Sequence, residues 1–241
     1  MCGWDHATVN VLAFGVHPGD IEYFCGGTLA KYAQAGHAVS MAVMCKGDCV
    51  SISVDREENL RTREQESRKA AAIIGAALYQ IGFWDFHIPR DEAGKDRIVR
   101  VVREVQPDVI ITHGPGDYLV DHTITSELVE ECALMAPQIG IVTDSLAPTR
   151  GARLLHMDTL SGLGFTPDEF VDITDAFETK LQMLLCHESS LAPWRGHPVL
   201  DSVEMMEVAA RYRGIQANVR YAEAFRRDPK WGWATAYRFL P

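Results

Sequence analysis

Short apolar runs alternate with stretches of helical period along most of this chain, and that alternation limits the fold more than any other feature. Val9 to Gly15 is a near-continuous apolar run, as a strand buried on both faces must be. After a turn at Pro18 and Gly19, a helix is expected over about Gly26 to Ala35, closed by Gly36. Val39 to Cys45 repeats the strand pattern. Glu57 to Ala77 reads as a long helix, with Ala70, Ile73, Ile74, Ala77 and Leu78 on one face. Tyr79 to Phe83 and Asp108 to Thr112 are the next strands. Between them Ile98, Val101, Val102 and Val105 mark a helix that Pro107 ends. Beyond a Gly/Pro loop at His113 to Asp117, a helix carries Ile124, Leu128, Val129 and Cys132. Short strands near Leu154 and Phe170 follow, then a helix with Phe177, Leu181, Leu184 and Leu185, and a last helix over about Asp201 to Arg213. Strands alternating with helices build βαβ units, so the expected fold is α/β: a Rossmann-like, three-layer α/β/α arrangement around a mostly parallel sheet. No linker or composition shift divides the chain, and residues 1–241 are expected to form a single domain.

Composition narrows the function classes. A chain of 241 residues, 47% of them hydrophobic, buries a core that stands without disulfides. Its six cysteines are scattered and make no Cys-x-x-Cys pair, the usage expected of reduced thiols in a cytoplasmic protein. Thirty-three acids against 23 bases leave a net charge of −10, a field that repels phosphate backbones, so no nucleic-acid partner is expected. No apolar run approaches the ~18 residues that cross a bilayer, and no membrane partner is expected either. Val11 to Val16 is too short for a signal peptide.

Two loops concentrate the chemistry. Val16-His17-Pro18-Gly19-Asp20-Ile21-Glu22 follows the first strand, and Gly116-Asp117-Tyr118-Leu119-Val120-Asp121-His122 follows the fourth. Both lie at the carboxyl ends of expected parallel strands, the edge where open α/β sheets bind ligands. If those strands are neighbours, the loops bring two imidazoles and a carboxylate to one point. Two His and one carboxylate with an open fourth position is a catalytic zinc set, and the same donors suit Fe²⁺. Gly26-Gly27 lacks the further glycines or the lysine of a nucleotide cradle.

The string VLAFGVHPGDIEYFCGGTLAKYAQAGHAV resembles the opening of the PIG-L/LmbE family of zinc-dependent N-deacetylases. THGPGDYLVDH is similar to that family's second metal loop, and the Arg-Glu-rich helix with Arg63, Glu64 and Glu66 to its following segment. FVDIT, Lys180, CHESS and YAEAF are similar to its closing pattern, so the resemblance covers nearly the whole chain. It implies His17, Asp20 and His122 as metal ligands, Asp121 as an acid that orients the site, and Arg63 as a substrate contact. It also implies a metal-dependent hydrolase that takes an N-acyl group, N-acetyl in the first instance, from a sugar or sugar conjugate. Family members often form trimers or hexamers, which implies a homo-oligomer.

Two positions depart from the family pattern. Its usual general base, the first Asp of His-Pro-Asp-Asp, is Gly19 here, and the His that commonly assists the tetrahedral intermediate is Leu119. A positioned acid or base is typically worth ~10²–10⁴-fold in rate, so a chain without both is expected to be slow unless other groups replace them. Asp48, at the end of the second strand, leads the replacements, with Asp117, Asp121, His113 and His156 behind it. Two other readings stay open. Some branches of the family that lack the Asp base hydrate unsaturated carboxylic acids, and a degenerate member would bind a ligand without turnover. Plainer readings also stand: Gly19 as a turn glycine with positive φ, and Arg63 in ion pairs with nearby glutamates. His187 would be a cation at a helix end, His37 a polar residue at a strand entrance, and His6 and His197 surface residues. Trp231, Trp233 and Tyr237 would be core packing.

Overall fold

The computed structural model describes residues 8–49, 55–141 and 145–228. In chain order the elements are β1 (Asn10–Gly15), α1 (Asp20–Gln34), β2 (Ala38–Cys45), α2 (Arg56–Ile73), β3 (Ala77–Phe83), α3 (Glu92–Val105), β4 (Val109–Thr112), α4 (Val120–Met135), β5 (Arg153–Met157), β6 (Glu169–Asp172), α5 (Phe177–Leu185), α6 (Glu188–Leu191), α7 (Ser202–Ala217) and β7 (Ala222–Arg227). The sheet has seven strands in the order β3-β2-β1-β4-β5-β7-β6. The first five run parallel, β7 pairs antiparallel with β5, and β6 pairs antiparallel with β7.

β1 shows why the apolar runs are continuous. Val11 and Ala13 face the core shared with α1, α5 and α7, whereas Leu12 and Phe14 face the core under α3 and α4. All four are fully buried, because helices cover both faces of a parallel sheet. The Rossmann-like α/β/α fold is therefore present, with two antiparallel strands added at one edge.

Three expectations shift. α1 begins at Asp20, six residues ahead of the expected start, with Gly19 as its N-cap at φ 105°. Gly26 and Gly27 consequently lie inside the helix. A Cβ at Gly27 would stand 2.9 Å from three side-chain atoms of Ile173, so this glycine permits close packing of α1 on the chain after β6. α2 ends at Ile73, ahead of the expected Ala77, because Gly75 turns the chain with φ 66° and Ala77 already belongs to β3. β7 was not expected as a strand. Its charged residues break the apolar run, yet Glu223 is buried and accepts the N–H groups of Gly27 (2.9 Å) and Thr28 (2.7 Å). Buried Lys180 pairs with Glu223 and donates to the Tyr23 carbonyl at 2.6 Å, tying α5 and β7 to α1. Among the described residues no helix is long and apolar enough to cross a membrane. His6, Trp231, Trp233 and Tyr237 lie outside the described residues.

Candidate metal centre

β1 and β4 are hydrogen-bonded neighbours, with Val11 opposite Val109 and Ala13 opposite Ile111. Strand order reverses here: β2 and β3 lie on one side of β1, β4 and β5 on the other. Chains leaving the carboxyl ends of two such strands diverge and open a crevice between them. His17 and Asp20 enter it from the turn into α1, and His122 from the first turn of α4.

The three side chains converge. One ligand atom from each of His17, Asp20 and His122 lies within 4.8 Å of the others. Asp20 Oδ2 accepts the N–H groups of His17 (2.7 Å) and Val16 (3.1 Å), so backbone fixes its carboxylate. The same oxygen is 3.5 Å from His17 Nδ1 and 3.4 Å from His122 Nε2. Burial opposes the charge on each imidazole, but the acids outweigh it. Asp121 and Asp20 hold His17 up at about 10, and Asp20 and Asp117 hold His122 up at about 9. Burial likewise opposes the Asp20 charge, and His122, His113 and His17 overcome it, keeping its carboxyl well below the usual range. The carboxylates thus favour positive charge at these imidazoles. A divalent cation would supply that charge from the same donor atoms, so the residues present fit a metal.

The surrounding groups fix ring orientation. His122 Nδ1 is 2.9 Å from Asp117 Oδ2, which leaves Nε2 for a ligand, the arrangement that ligating histidines usually need. His17 Nε2 is 3.4 Å from Asp121 Oδ2, which also accepts the Phe86 N–H at 2.7 Å. Asp121 Oδ1 is buried without a hydrogen-bond partner. His113 Nε2 accepts the Val16 N–H at 3.2 Å, and burial, then the nearby His122 charge, pushes this imidazole down to about 4. It is a neutral acceptor committed to backbone. His156 stands one layer deeper, with Nδ1 2.9 Å from the His113 carbonyl.

Other sequence candidates lie around this centre. Asp48 is in an adjacent knot: Oδ1 accepts the Asp85 N–H at 3.0 Å and Oδ2 meets Arg56 at 2.5 Å. Asp85, missed in the sequence, accepts the N–H groups of Gly47 and Cys49 in return, and the next residue, Phe86, holds Asp121. Only its place at the carboxyl end of β3 could have signalled it. Arg63 is not in ion pairs on the helix surface. It is buried, its Nη2 donates to the Pro18 carbonyl at 3.3 Å, and Nε and Nη1 have no partner. His187 does follow α5, but its ring is buried against Gly19 with Nε2 3.0 Å from Glu22 Oε1, so it packs on the metal loop and caps no helix end in solvent. His37 takes the Val9 N–H at 3.3 Å beside β2, and His197 is exposed. Gly19, at φ 105°, occupies the left-handed region that favours glycine.

The chain is similar to known proteins over most of its length. A 4-oxalmesaconate hydratase of Pseudomonas putida is 25% identical over 235 residues, spanning 89% of this chain and 87% of that one. A diacetylchitobiose deacetylase of Thermococcus kodakarensis is 26% identical over 231 residues, spanning 91% of this chain and 83% of that one. The solved N,N'-diacetylchitobiose deacetylase of Pyrococcus horikoshii superposes with a TM-score of 0.80 at 24% identity, over 96% of this chain and 86% of that one, a likeness of fold. Residues 12–133 match the family described as PIG-L, GlcNAc-PI de-N-acetylase, and carry both loops of the centre. The chain belongs to the PIG-L family.

Proposed function

We propose that residues 1–241 form one domain that acts as a metal-dependent amidohydrolase, removing an N-acyl group from a sugar or sugar conjugate, with Zn²⁺ or Fe²⁺ held by His17, Asp20 and His122. The observation that carries this reading is the convergence of those three donors where the strand order reverses. The similar diacetylchitobiose deacetylase supports the substrate class. Zinc in this set supplies Lewis acidity toward the acyl oxygen and a water with pKa near about 7.

The chain's own residues divide the remaining work. Asp117 holds the His122 ring by Nδ1. Asp121 faces His17 through Oδ2 from a fully buried position and orients that ring. Asp48 acts on Asp121 at one remove, by fixing the Asp85-Phe86 turn whose N–H holds the Asp121 carboxylate. Arg63 braces the Pro18 carbonyl between two ligands, and a substrate contact with it requires its buried guanidinium to open away from Gly47.

Purified protein should carry or take up one divalent metal and release acetate from N-acetylglucosamine conjugates, and His122→Ala should lose both properties. Protein that refuses added Zn²⁺ sinks the reading. A second reading, hydration of an unsaturated carboxylic acid, is favoured by Gly19 at the position of the usual base and by the similar hydratase. Loss of absorbance from a conjugated diacid, with no amide cleaved, would select it.

A further inference from the structure

Four large apolar side chains stand exposed on the loops at the carboxyl edge of the sheet, and three of them are bonded to, or next in sequence to, residues of the candidate metal centre. Phe86 (55% exposed) follows β3 and gives its N–H to Asp121. Val120 (52%) is the neighbour of Asp121 at the start of α4, and Tyr118 (68%) follows Asp117, the partner of His122. Leu163 (76%) sits in the segment after β5, beside Gly164, whose carbonyl oxygen is 3.6 Å from where a Cβ on Gly116 would stand.

Phe86 shows that folding alone does not account for this rim. Its φ is 60°, a conformation costly for a bulky L residue and easy for glycine or asparagine. The fold uses its backbone N–H, which any residue but proline supplies. The ring is more than half exposed, so it adds little to the core. A strained residue with an exposed ring beside a candidate centre points to a ligand.

We propose that Phe86, Tyr118, Val120 and Leu163 seat the N-acyl group of the substrate, and that this group is an alkyl chain substantially longer than acetyl. The inference rests on the amidohydrolase reading. In that reaction the acyl carbonyl must sit at His17, Asp20 and His122. Phe86 is bonded to Asp121, and Tyr118 and Val120 neighbour Asp117 and Asp121 in sequence, so in this proposal the carbon chain attached to the carbonyl runs out along the loops that carry the rim. A single methyl cannot cover side chains from three loops. The sugar leaves on the nitrogen side, and its hydroxyls gain little from four apolar groups.

The test uses metal-loaded protein with N-acetyl-, N-butanoyl-, N-hexanoyl- and N-octanoylglucosamine, read by glucosamine release and by calorimetric binding. Each added methylene should raise kcat/KM and affinity about two- to fourfold until the rim is covered. Phe86→Asn, which accepts the same backbone angle, and Tyr118→Ser should flatten the series. A flat series in the parent protein, or one untouched by both substitutions, overturns the proposal. So does Phe86→Asn splitting an oligomer in light scattering, since the rim would then be a subunit contact. Chain-length-dependent binding without any glucosamine release supports the seat and removes the amidohydrolase reading.

Discussion

Asp117 and Phe86 show how much single residues in this centre depend on the partners that folding brings to them. The two ligand loops were legible in the sequence because their His and Asp residues are rare chemistry at strand ends. Asp117 stood only as one of several possible acids, and its bond to His122 became visible with the α4 N-terminus in place. Asp117→Asn should weaken metal affinity about 10- to 100-fold with the ligands intact, measured by competition with a chromophoric chelator. Phe86 could not be read at all, since its strain is a backbone property. Phe86→Asn should leave the chain as stable as the parent, or raise it by up to about 1 kcal/mol, in urea unfolding. A loss above about 1 kcal/mol would show that the phenyl ring packs more than its exposure suggests.

Among the elements, α1 carries the most consequence. Its start at Asp20 places the carboxylate proposed as a ligand in the first helical turn, where the unpaired N–H groups favour negative charge. The Gly26-Gly27 pair pushed the expected start downstream, because glycine is a poor helix former, and tertiary packing overrode that preference. Gly27→Ala should cost about 1–3 kcal/mol, because the new methyl meets Ile173 at 2.9 Å. The buried Lys180–Glu223 pair holds the same helix from the other side. Lys180→Met should cost about 3–5 kcal/mol in chemical unfolding, because Glu223 keeps its charge and loses its counter-ion. β7 escaped sequence reading for a related reason. A strand with an acid at a buried position has no apolar alternation, and the lysine from α5 together with the Gly27 and Thr28 N–H groups makes it tolerable.

For the whole molecule, the charge held in the crevice ties stability to pH. Without metal, His17 and His122 sit at about 10 and about 9, above their ordinary 6.5 when unfolded. A raised folded value stabilises fully below 6.5 and is lost as pH rises through the folded values. Metal-free protein should therefore lose thermal stability progressively between about pH 6.5 and 10, and a divalent metal, which displaces both protons, should remove that loss and release protons on binding. Equal melting profiles with and without metal over this range would contradict the convergence of the donors. The sequence by itself determined the α/β layering and the strands of the parallel sheet, and it offered the proposed ligand set, because burial on both faces forces continuous apolar runs and metal chemistry restricts residue type. The adjacency of β1 and β4, the Asp117–His122 and Asp121–His17 pairings, the buried His187 beside Gly19 and the exposed rim were decided by tertiary structure. Apart from the Asp117–His122 pairing, five residues apart, each depends on distances between segments about 35 to 170 residues apart, and periodicity carries no information on that scale.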